Sequence, residues 1–86
     1  MERSVESLVE SLAALLVARK EMLTTAESCT GGWVAKVCTD LAGSSAWFDR
    51  GFVSYSNQAK QDMLGVSAAM LDTCGAVSEQ VVAEMV

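Results

Sequence analysis

The sequence predicts an α/β fold, present as a helix-rich part of a domain with about two strands. Three observations predict it. Apolar residues recur at helical spacing in several segments. Two short runs, Met22–Ala26 and Phe48–Ser54, read as strands lying between those helices. And 86 residues that are 51% hydrophobic, with no proline and only six glycines, leave little room for loops or disorder. A sheet of two strands cannot cover the apolar surface of four or five helices. The expectation is therefore that residues 1–86 are the N-terminal part of a single larger domain, cut before its remaining strands.

The elements follow in order. Val5, Leu8, Val9, Leu12, Leu15 and Leu16 share a helical face, with Glu6, Glu10 and Arg19 off it, which predicts an amphipathic helix from about Ser4 to Lys20. Met22–Ala26 is a short buried strand, and Glu27, Ser28 and Cys29 turn out of it. A second helix is expected over Gly31–Leu41, with Trp33, Val37 and Leu41 toward the core and Gly43 as its stop. Ser44–Trp47 is a short turn. In the second strand, Phe48, Arg50 and Phe52 fall on one face, and Asp49, Gly51 and Val53 on the other. Ser56 or Asn57 caps a third helix carrying Lys60, Met63 and Leu64, and Gly65 ends it. Ser67 caps a short helix to about Thr73, closed by Gly75, and Ser78 caps the last helix.

Composition removes several classes of function. A formal net charge of −5, with six scattered Lys and Arg, argues against binding a nucleic-acid backbone, which needs a basic stripe. The longest apolar run, Leu12–Ala18, is too short to span a bilayer, so no membrane partner is expected. Three cysteines without a C-x-x-C pair, in a chain without histidine, make a zinc site a poor reading. The odd cysteine count and the lack of a secretory leader fit the cytoplasm.

Chemistry concentrates in Thr24–Gly32, TTAESCTGG. A strand running through a serine into a glycine-opened helix exposes the hydroxyl, and free backbone N–H groups at the helix start favour an anion. Ser28 is thus a candidate nucleophile or, more simply, the cap of that helix. Without histidine its base must be a lysine or tyrosine. Lys60 lies in the first turn of the third helix, where the positive helix end disfavours a cation. Tyr55, at the end of the second strand, could pass or hold the proton between them; packing is its plainer role. Cys29 is the rival nucleophile or a small packing residue. Glu27 is a base, an orienter of the turn, or a carboxylate satisfied by nearby N–H groups. Arg50 wants an anionic partner, either a phosphate or a carboxylate such as Asp49 or Glu27. Trp33, Trp47 and Phe48 read as core, or as a platform for a flat ring.

Taken in order, TTAESCTGGWVAK, GSSAWFDRGFVSYSNQAKQDMLGV and GAVSEQVVAEM resemble the CinA C-terminal domain family, over nearly the whole chain. Within that family the resemblance is to the stand-alone bacterial amidohydrolases of nicotinamide nucleotide. The AESCTGG and YSNxxK motifs in this order are highly specific. The resemblance implies a three-layer α/β/α domain and hydrolysis of the carboxamide of nicotinamide mononucleotide to nicotinic acid mononucleotide and ammonia, in pyridine-nucleotide salvage. It assigns Ser28 as nucleophile, with Tyr55 and Lys60 assisting. It implies no metal and no organic cofactor, a small nucleotide as partner, and frequent homo-oligomers. Around the substrate we expect Glu27 and Cys29, the N–H groups of Thr30, Gly31 and Gly32, Arg50, and Asn57 of YSNxxK. The family's later glycine-rich segment does not occur in this sequence. That leaves a non-catalytic nucleotide-binding or interaction module of the same family as the alternative.

Overall fold

Serine hydroxyls and glycine backbones set most of the helix ends. The computed structural model describes residues 4–86. Its elements are helix α1 (Val5–Arg19), strand β1 (Leu23–Glu27), helix α2 (Trp33–Thr39), a 3-10 turn (Ser44–Ala46), strand β2 (Phe48–Val53), and helices α3 (Asn57–Leu64), α4 (Ala68–Cys74) and α5 (Glu79–Met85). The two strands pair in one sheet. The Leu23 N–H donates to the Trp47 carbonyl at 2.7 Å and the Ser54 N–H to the Glu27 carbonyl at 2.8 Å. Pairing partners therefore advance together along both strands, so the pair is parallel. The connection between them, through α2, is the crossover that a parallel pair requires.

The described residues divide into two compact units, 4–25 with 32–51, and 26–31 with 52–86. In the first, Ser4 caps α1 by accepting the Ser7 N–H at 3.1 Å, and Lys20 closes it in a left-handed conformation. α1 packs on α2. Val9, Cys38 and Trp47 are buried here, with Leu12, Ala13, Leu16, Leu23, Val37 and Phe48 against them. The Trp47 and Phe48 rings meet edge to face at 6.2 Å. The predicted face of α1 is only partly used. Leu8 and Leu15 remain exposed, because the apolar stripe is wider than the surface that covers it.

The second helix departs most from expectation. Gly31 and Gly32 both take positive φ, so the helix starts at Trp33 and not at Gly31. Trp33 then faces outward, 51% exposed. Gly43 does not terminate α2; it opens the 3-10 turn instead. Gly51 allows a close approach: a Cβ there would lie 2.8 Å from Thr25 Oγ1 and 3.3 Å from Ala35 Cβ.

In the second unit α3, α4 and α5 pack on one another around Val66, Leu71, Val81 and Met85. Ser56, Ser67 and Ser78 cap them as expected, accepting from Ala59, Met70 and Val81 N–H groups, while Gly65 and Gly75 follow α3 and α4. Ser67 is held twice: its own N–H donates to the Glu84 carboxylate of α5 at 2.9 Å.

Candidate active site

The carboxyl ends of parallel strands are where α/β sheets place ligands. β1 ends at Glu27 and β2 at Val53. Ser28 follows the first and Tyr55 lies two residues beyond the second. The bridge between the two ends is the Glu27 carbonyl, which accepts the Ser54 N–H at 2.8 Å and lies 3.4 Å from the Ser54 hydroxyl that also donates to it. All of these residues lie in the second unit.

Ser28 sits half-buried in the bend after β1. It does not cap α2. The N-cap there is Gly32, without a side-chain cap bond. The Ser28 carbonyl accepts the Gly31 N–H at 3.1 Å, so that N–H is used within the turn and is not offered to an anion. Glu27, only 5% exposed, points its carboxylate along the same turn, where Oε1 accepts the Thr30 hydroxyl at 2.7 Å. Cys29 is exposed, and neither it nor Cys38 nor Cys74 is joined in a disulfide.

Lys60 is buried, 3% exposed. Helical side chains lean toward the N-terminus of their helix, and Lys60 does so: its Nζ donates to the Tyr55 carbonyl at 3.0 Å. Among the described residues no carboxylate pairs with it. Tyr55 meets Lys60 through its backbone, and its ring stands 86% exposed. Ser56 is the α3 cap, leaving Asn57 as the exposed first residue of the helix. Arg50 belongs to the first unit and pairs with Asp49 at 2.7 Å, one of the two carboxylate partners expected for it.

Two residues escaped the sequence reading in these roles. Ser54 gave no signal beyond ending a strand, because its partner is 27 residues away and fixed only by strand register. Thr30 was expected to offer its N–H, whereas its hydroxyl makes the bond. Among the described residues no cluster of three or more His, Cys, Asp or Glu gathers for a metal, and no helix is long and apolar enough to cross a membrane.

Comparison with known proteins gives consistent matches. A family model for the CinA C-terminal domain matches residues 5–86. The nicotinamide-nucleotide amidohydrolase PncC of Escherichia coli K12 is 64% identical over 78 residues, 91% of this chain and 47% of that protein. PncC of Enterobacter agglomerans is 58% identical over 84 residues, 98% of this chain and 51% of its own length. Among solved structures, a competence/damage inducible protein from Agrobacterium tumefaciens superposes with a TM-score of 0.93 at 47% identity, covering 99% of this chain and 52% of that one. A CinA superfamily protein from Enterobacter cloacae does so with a TM-score of 0.95 at 40% identity, over 99% and 50%. The chain thus spans about half the length of these amidohydrolase relatives.

Proposed function

This chain belongs to the CinA C-terminal domain family, and we propose that the protein carrying it hydrolyses the carboxamide of nicotinamide mononucleotide, giving nicotinic acid mononucleotide and ammonia in pyridine-nucleotide salvage. The names of the amidohydrolase relatives support the substrate class. The observation that carries the chemistry is Lys60: a buried amine that no carboxylate among the described residues pairs with, just past the end of the strand that pairs with the residue before Ser28. A lysine kept out of water and unpaired is costly to a fold, and such groups gather at functional sites.

In the proposed reaction Ser28 Oγ attacks the amide carbonyl carbon while its proton passes to the Lys60 amine. The tetrahedral intermediate collapses, the C–N bond breaks, and the Lys60 proton leaves with ammonia. Water then attacks the acyl-serine ester, Lys60 takes its proton and returns it to Ser28, and the carboxylate departs. Tyr55 assists by fixing the Lys60 amine through its carbonyl oxygen, with its exposed ring open to substrate. Glu27, Cys29, Thr30, Gly32, Asn57 and Arg50 are the candidates for contact with the nucleotide, each to be tested singly. The working form is a cytoplasmic homo-oligomer.

Ammonia release from nicotinamide mononucleotide tests the reading. Ser28→Ala should lower it about 10⁴-fold or more while shifting stability by no more than about 0.5 kcal/mol. Undiminished release in that variant would remove Ser28 as nucleophile. A second reading, a non-catalytic nucleotide-binding or interaction module, is favoured by the exposure of the Tyr55 ring. Nucleotide binding without ammonia release by the wild-type protein would establish it.

A further inference from the structure

The turn that carries Ser28 is held from both sides by one residue. The Glu27 backbone carbonyl takes the N–H and hydroxyl of Ser54, and its carboxylate takes the Thr30 hydroxyl at 2.7 Å. The second bond spans the two residues Ser28 and Cys29, and it runs alongside the Gly31 N–H to Ser28 carbonyl bond in the same turn. At 2.7 Å and partly shielded from water, the bond from the Thr30 hydroxyl to the Glu27 carboxyl oxygen lies at the preferred O–H···O distance and fixes both groups in direction. Gly31 and Gly32, both at positive φ, follow immediately, so the backbone after the turn has little stiffness of its own.

We infer that Glu27 and Thr30 form a clasp that sets the direction of the Ser28 hydroxyl, and that both are positioning residues with no substrate contact through these side chains. The inference rests on the proposed role of Ser28 and narrows it, because both residues were candidates for binding the nucleotide. Misplacing a reacting atom by about 1 Å costs on the order of 10²-fold in rate without weakening binding. A group that binds substrate equally in ground and transition states acts on KM instead.

Thr30→Val keeps the shape of an exposed side chain and deletes the donor. Thr30→Ser restores it. Two readouts are measured on the full protein: hydrogen exchange of the Gly31 amide, and kcat and KM for ammonia release from nicotinamide mononucleotide. Thr30→Val should speed Gly31 exchange about tenfold and lower kcat about tenfold or more with KM unchanged, and Thr30→Ser should return both toward wild type. Unchanged exchange overturns the clasp. A raised KM at constant kcat overturns the positioning role and makes Thr30 a substrate contact. Faster exchange with kcat and KM both unchanged also overturns it. A wild-type protein that releases no ammonia refutes the proposed reaction, while the exchange result still decides the clasp.

Discussion

The two units of this chain bury different things. In the first, the buried side chains are Val9, Cys38 and Trp47, a small apolar core under α1 and α2. In the second, an apolar core of Val66, Leu71, Val81 and Met85 coexists with buried Glu27, Ser54 and Lys60. Removing a charged or polar group from water costs stability unless bonds replace the lost hydration. Glu27 and Ser54 have such bonds in the strand-end bridge and the turn. Lys60 has one carbonyl and, among the described residues, no ion-pair partner. The contrast separates a region that packs to hold the fold from one that accepts a destabilising side chain, and it is the second that holds the proposed catalytic residues.

Three substitutions test that contrast, in falling order of effect. Trp47→Ala should cost about 3–5 kcal/mol, since it empties the centre of the first core. Chemical denaturation measures it, and the kcat of the remaining folded protein should stay near wild type. A loss under 1 kcal/mol would mean that the first core is not where the stability of that unit resides. Lys60→Met replaces the buried amine with an apolar chain of similar length. Ammonia release should fall about 10²-fold or more, and the melting temperature should hold or rise because a buried polar amine held by a single carbonyl is replaced by an apolar chain. A lower melting temperature would place Lys60 among the structural residues instead. Tyr55→Phe should be the mildest, changing kcat less than about threefold, since the carbonyl that holds Lys60 is untouched. A loss of a hundredfold would restore the phenol to the proton path.

Legibility in the sequence follows the range of the interaction. Ser4, Ser56, Ser67 and Ser78 cap helices by bonding an N–H three residues on, and Gly65 and Gly75 close two of them. Such contacts are written in neighbouring residues and could be read directly. The βαβ order and the position of Ser28 and Lys60 beyond the strand ends were legible for the same reason, from alternation and punctuation. The start of α2 was not. Two consecutive glycines permit a helix start at either, and the left-handed geometry that both adopt delayed it to Trp33 and turned that ring outward. The width of the stripe on α1 misled similarly, because periodicity shows which residues share a face but not how much of it a neighbour covers. At the site, the Ser54 bridge needed the register of two strands, and the Tyr55 carbonyl rather than its phenol became the contact because α3 leans its lysine backward.

The bond from Ser67 N–H to Glu84 amounts to a capping box divided between two helices. α4 is seven residues long, below the length at which a helix nucleates itself in water. Half of what starts it comes from α5, which leaves the ribosome after it. During synthesis, then, α4 has every local signal to begin winding and must wait for α5 to emerge before its first turn is secured at both ends.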